Sequence, residues 1–279
     1  MTGQPIGIFD SGVGGLSILQ ALRAELPQED FIYIADSGHA PYGERDDAYV
    51  LARSRAVTAH LAAQGVKALV IACNTATAAA VDSLRAEHPT LPIIGVEPAL
   101  KPAALLSRTR RIGVMATRST LASARFKTLL QSFAGQADFV LQPCDGLAGA
   151  IEHAGIQAAA GTEDATKIIA ICASSVRAMG QFGLKHGEID TLVLGCTHYP
   201  FASPHLRELL GPAVQFLDTG APVARQTRWR LAAITPPAGA ADHRVPGRVS
   251  FFTTGQPAAL QAAAQRWLQL GGEVGSLSL

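Results

Sequence analysis

The chain has 279 residues, 48% hydrophobic and 16% charged, and 23 basic against 22 acidic side chains leave a formal net charge of +1. That length and apolar content support a buried core in one large domain or two lobes and exclude a disordered chain. Near-neutrality supplies no field for nucleic acid or an anionic membrane, and no apolar run reaches the roughly 18 residues of a membrane helix. The first five residues lack the regions of a secretory signal, so the expected location is the cytoplasm.

Short β-branched runs alternate with Ala- and Leu-rich amphipathic stretches. In chain order, 6–9 predicts a strand, a Gly-rich turn and a helix over about 15–26 follow, and 31–35 predicts a second strand. A helix over about 46–63, a strand at 68–72, a helix over about 75–87 and a strand at 93–96 complete the first series. Arg108, Arg110 and Arg111 then cluster in what reads as a solvated loop. The alternation restarts with a strand at 111–115, a helix over about 120–133 and a strand at 139–141. Helical stretches over about 147–152 and 163–182 and a strand at 191–194 follow. After Pro212 the pattern predicts a strand at 214–217, a helix over about 221–233 and a loop rich in Pro, Gly and Ala at 235–247. A strand at 248–253 and a helix over 257–270 close the chain. Near-continuous apolar strands joined by helices indicate parallel sheets covered on both faces, an α/β chain.

Two local matches point to an internal duplication. Ile6-Gly7-Ile8 opens the first series much as Ile112-Gly113-Val114 opens the second. Leu69-Val70-Ile71-Ala72-Cys73-Asn74-Thr75 aligns with Leu192-Val193-Leu194-Gly195-Cys196-Thr197-His198, so each series sets a cysteine directly after a buried strand. Short apolar strands resemble each other by chance, and the second match carries the weight.

Ligands of open parallel sheets bind beyond the carboxyl ends of the strands, where the polar clusters of this chain fall. Helix starts there offer unpaired N–H groups that suit a small anion such as a carboxylate. Gly12-Val13-Gly14-Gly15 fits neither the dinucleotide fingerprint nor the phosphate-binding P-loop spacing. Asp10, just before it, would repel phosphate and suit an ammonium group, or cap the helix that follows.

The four cysteines include no C-x-x-C pair, which speaks against a zinc or redox motif. Cys144 and Cys172 read as small buried hydrophobes. Cys73 and Cys196 stand at equivalent strand ends, where a helix N-terminus is expected to lower a thiol pKa. Two thiols on matching halves suggest a pseudosymmetric site, one thiol on each face of a ligand. Inversion at a carbon acid needs that: a base removes a proton on one face while an acid supplies one on the other. His198, two residues past Cys196, is placed to relay protons to that thiol. Glu152 by itself reads as a solvated surface residue.

These segments together resemble the glutamate racemases of the aspartate/glutamate racemase superfamily, from Asp10 to about Arg225. The motifs are Asp10-Ser11-Gly12-Val13-Gly14-Gly15, Pro41-Tyr42-Gly43, Cys73-Asn74-Thr75, Thr117 with Thr120, and Gly195-Cys196-Thr197-His198-Tyr199-Pro200. The resemblance implies that Cys73 acts on D-glutamate and Cys196 on L-glutamate, with Asp10 and His198 assisting the respective thiols and Glu152 as a further catalytic acid. It implies substrate contacts from Asp10, Ser11, Pro41, Tyr42, Gly43, Cys73, Asn74, Thr75, Thr117, Thr120, Cys196, Thr197 and His198. It also implies two similar α/β lobes, 1–98 with 212–279 and 99–211, related by a pseudo-twofold with the site between them. Neither pyridoxal phosphate nor metal is expected, and the expected form is a cytoplasmic homodimer supplying D-glutamate for peptidoglycan. Rival readings are a two-cysteine racemase for aspartate or a hydantoin, a two-lobed binding module and a dithiol redox protein. A pyridoxal enzyme would need a Schiff-base lysine, and no lysine lies in the motif loops.

Overall fold

The computed structural model describes residues 3–156, 162–233 and 246–279. The first series folds as β1 (Ile6–Asp10), α1 (Leu16–Glu25), β2 (Phe31–Ala35), α2 (Asp47–Ala63), β3 (Ala68–Ile71), α3 (Asn74–Glu87) and β4 (Ile93–Gly95). Helix α4 (Leu100–Leu106) leads into β5 (Arg111–Ala116), α5 (Arg118–Ala122), α6 (Ala124–Gln131), β6 (Asp138–Pro143), α7 (Leu147–Ile156) and α8 (Thr162–Met179). Strand β7 (Thr191–Leu194), α9 (Ser203–Leu210), β8 (Gln215–Leu217), α10 (Gly220–Ala232), β9 (Val249–Thr253), α11 (Pro257–Leu268) and β10 (Val274–Ser276) follow.

Two parallel sheets result, ordered β10-β9-β2-β1-β3-β4 and β6-β5-β7-β8. The four strands β2-β1-β3-β4 have the order of β6-β5-β7-β8, so the duplication suggested by the two cysteine strands extends to the topology. The Ile-Gly strands become β1 and β5, each paired on both sides. Strands β1, β3 and β7 are buried along their whole length, as strands covered by helices on both faces must be.

The topology corrects one boundary. The strand after Pro212 was expected to return to the first lobe, but β8 pairs with β7 and completes the second four-strand unit, as β4 completes the first. The return comes after Leu217: α10 packs on α1, and β9 and β10 extend the first sheet beyond β2.

Two local expectations also change. The single helix over 120–133 is two helices, because Ser123 takes an extended ψ of 145° and its Oγ caps α6 by accepting the Phe126 N–H. Helices α4 and α9 and strand β10 are elements the alternation of strands and helices did not predict. Most of the 235–247 loop lies outside the described residues. The Arg108–Arg111 loop folds onto Asp190, which accepts N–H bonds from Arg108 and Thr109 and a hydroxyl bond from Ser107. Among the described residues, no helix is long and apolar enough to cross a membrane.

The lobes are joined by packing as well as by chain. Trp267 of α11 stacks on Phe201 with centroids 3.8 Å apart, and a Cβ on Gly155 of α7 would run into the same indole. The guanidinium of Arg266 donates to the Ala154 carbonyl at 2.8 Å.

Candidate active site

A cavity of about 590 Å³ opens where the carboxyl-end loops of both sheets meet. The first sheet contributes Ser11 after β1, the Pro41-Tyr42-Gly43 loop after β2 and Cys73-Asn74-Thr75 after β3. The second contributes Thr117 after β5, Glu152 on α7 and Cys196-Thr197-His198 after β7. The two cysteines thus reach one cavity from opposite lobes, each 6% exposed.

Two of the expected site residues stand behind this wall. Asp10 is fully buried, and one carboxylate oxygen accepts the N–H groups of Gly12 and Gly15 at 3.2 and 2.9 Å. It shapes the Gly-rich turn rather than bounding the cavity. Thr120 is buried too, its hydroxyl accepting from Thr117 at 2.8 Å. Ser37, Glu44, Arg118, Asp145, Gly149 and His153 also bound the cavity, although none is among the site residues the resemblance implies. Most lie in strand-end loops that the placement rule for parallel sheets covers, but no paired motif marked them.

The Gly-rich turn is shaped by close approach. A Cβ on Gly12 would overlap the Glu152 carboxylate, and one on Gly14 would overlap the His198 ring. These glycines provide space for second-lobe side chains, which explains a Gly-rich loop that matches no phosphate-binding spacing. Glu152 accepts the Val13 N–H at 2.9 Å through one oxygen and the Ser37 hydroxyl at 3.3 Å through the other, tying α7 to the first lobe. The apparent surface acid is therefore a central residue of the inter-lobe contact.

The surroundings of the two thiols differ. Cys73 is the N-cap of α3: its Sγ accepts the Ala76 N–H at 3.4 Å, and its thiol points at Ser11 Oγ at 3.7 Å. The expected lowering of its pKa by the helix terminus is overturned. Burial, followed by the charge of Asp10, pushes the thiol up to about 12, against the smaller opposing effects of the Ala76 N–H and Ser11. Cys196 does not begin an α-helix; a 3-10 turn, Tyr199–Ala202, follows it before α9. Its Sγ lies 3.8 Å from His198 Nδ1, and Nε2 of the same ring lies 2.7 Å from Glu152 Oε2.

Burial disfavours charge on His198, yet its hydrogen bonds to Cys196 and Glu152 and their negative charges outweigh that effect and hold its pKa well above the ordinary imidazole value. As an imidazolium it donates from both nitrogens, one to each partner. Asp10 is raised to about 6, burial exceeding the opposing pull of His198 and of the Gly15 and Gly12 N–H groups. Cys144 and Cys172 are buried, and burial pushes their thiols up to about 12 and about 11. Among the described residues, no lysine bounds the cavity and no cluster of three His, Cys, Asp or Glu side chains is arranged to hold a metal ion.

Comparison with known proteins relates the sequence and the fold to one family. Residues 16–227 match the family model described as Asp/Glu/Hydantoin racemase. A glutamate racemase of Ectopseudomonas mendocina is 50% identical over 222 residues, covering 80% of each chain. A glutamate racemase isoform of Bacillus anthracis has a fold similar to that of this chain, with a TM-score of 0.83 and 29% identity over 100% of this chain and 99% of that one. Escherichia coli glutamate racemase, in complex with L-glutamate and the activator UDP-MurNAc-Ala, is similar with a TM-score of 0.79 and 29% identity over 98% and 97% of the two chains.

Proposed function

The chain belongs to the Asp/Glu/Hydantoin racemase family and is an isomerase of that class, and from that premise we propose that it interconverts L- and D-glutamate by passing the α-proton between Cys73 and Cys196. The observation that carries this reading is the arrival of two thiols from equivalent strand ends at one cavity between the lobes. An amino acid held there presents one face of its α-carbon to each thiol.

Two-base inversion requires one thiol and one thiolate at the same moment. Cys73, buried and beside the charge of Asp10, is the protonated partner at neutral pH. The His198 imidazolium, itself braced by Glu152, is a charge partner for the thiolate required at Cys196. In this state Cys196 takes the α-proton of L-glutamate, and Cys73 delivers a proton to the opposite face to give D-glutamate. The reverse reaction starts from the inverted protonation pattern. Buried N–H and hydroxyl groups that need no reorganisation stabilise the developing carbanion. The side-chain amide of Asn74, which finds no hydrogen-bond partner among the described residues although it is nearly buried and borders the cavity, suits that task.

The reaction needs no pyridoxal phosphate and no metal. Its product serves peptidoglycan synthesis, and the working form is a cytoplasmic homodimer. The reading is tested by following the ellipticity of L-glutamate, with L-aspartate and a hydantoin in parallel. Decay of the glutamate signal to zero is expected. Turnover of aspartate or the hydantoin with glutamate unchanged overturns the choice of substrate.

A further inference from the structure

Among the described residues bounding the cavity, Arg118 is the one Arg or Lys, set against the carboxylates of Glu44, Asp145 and Glu152. It is the first residue of α5 and follows Thr117 directly. Its Nη2 donates to Asp145 Oδ2 at 2.5 Å. The two side chains are 68% and 61% exposed, which sets the pair at the solvent side of the cavity, whereas the thiols are buried. One residue back, Thr117 Oγ1 lies 3.4 Å from Thr75 Oγ1 of the other lobe, so hydroxyls from both lobes meet at the cavity wall where the chain runs on into Arg118.

We propose that Arg118 is a specificity-determining residue that exchanges Asp145 for the side-chain carboxylate of a dicarboxylic amino acid arriving at the Thr75–Thr117 end of the cavity. The proposal rests on the glutamate reading given above. Three physical points support it. A second carboxylate on the substrate enters a wall that otherwise carries several negative charges, and a cation is needed there to offset them. A guanidinium accepts a carboxylate in a planar two-point contact, which a lysine cannot reproduce. An ion pair exposed to water is weak, so replacing Asp145 by the substrate costs little. Asp145 keeps the guanidinium placed while the cavity is free and competes with the substrate for it.

The test measures binding of glutamate and of glutamine, which has the same shape but no side-chain charge, by calorimetry, together with steady-state KM. Arg118→Gln is expected to weaken glutamate binding and raise KM for both enantiomers by about threefold to fivefold, as for an exposed charge contact. Glutamine binding should stay the same, and added salt should shrink the difference. Arg118→Lys should fall between the two, and Asp145→Asn should tighten glutamate about twofold. Equal glutamate binding by wild type and Arg118→Gln overturns the proposal, as does an equal loss for glutamine, which would place Arg118 on the α-carboxylate. Calorimetry needs no turnover, so a wild-type protein that binds glutamate without racemising it would refute the function and leave the Arg118 result readable.

Discussion

The two halves of the chain repeat one four-strand unit, and each sets a cysteine at the end of the strand in the same place. Around Cys73 that repeat leads into a long α-helix, a serine hydroxyl and a buried aspartate that faces other groups. Around Cys196 it leads into a short turn that brings His198 back toward the thiol, with Glu152 behind it. Duplication thus supplies two thiols in symmetric positions, and local sequence sets one beside a buried carboxylate and the other beside an imidazolium. A racemase needs symmetry in where its two groups stand and asymmetry in what they hold.

The largest expected effect comes from removing either member. Cys73→Ala and Cys196→Ala should each reduce racemisation by about 10³-fold or more, the scale of a lost acid or base, with circular dichroism of the folded chain unchanged. Gly14→Ala attacks only the Cys196 side. Its new Cβ overlaps the His198 ring, so that ring must leave its place between Cys196 and Glu152. A fall of roughly 10²-fold in kcat is expected, readable by the same assay.

Glu152→Gln keeps the shape and removes the charge that helps hold the His198 pKa up. It should lower kcat by roughly tenfold to a hundredfold and shift the basic limb of the pH profile downward. Because L- and D-glutamate have equal free energy, kcat/KM must drop by the same factor for both. An unequal loss of kcat/KM would indicate a second reaction.

The smallest effect belongs to the Cys73 side and is read in stability. Asp10 has a folded pKa of about 6, above its value of 3.8 when free of the fold. Its protonated form is the one the fold prefers, so its contribution is fully present below about pH 3.8 and is lost as pH rises through about 6. Asp10→Asn should therefore melt a few degrees higher than wild type at pH 7 to 8, with the gap closing toward pH 4. A gap that widens on acidification would mean that the native carboxylate is favoured.

Much of this was legible in the residues because strands buried on both faces have a plain signature. Leu69–Ile71 and Leu192–Leu194 announced themselves, and the cysteines after them could be paired before any contact was known. Asp10 and Thr120 belong to the motifs but do not border the cavity, since a sequence motif shows that residues belong together, not which of them reaches a cavity wall and which braces the loop behind it. Glu152 by itself reads as a surface acid, and only the resemblance marks it, since its partners Val13, Ser37 and His198 lie far away in the chain. The Cys73 thiol is raised rather than lowered because a helix-dipole effect is local and modest, whereas burial beside a carboxylate is the larger influence. No sequence pattern reports that balance.

Transfer of the proton by two groups on opposite faces is tested most directly by isotope placement. Wild-type protein is given L-glutamate in D2O and the reaction is stopped at low conversion, then repeated from D-glutamate. Deuterium is expected at the α-carbon of the product enantiomer, with the remaining substrate still carrying protium, in both directions. Product that keeps the substrate's protium, or deuterium equally present in both pools from the start, would show a single group serving both faces and would contradict the division of labour between Cys73 and Cys196.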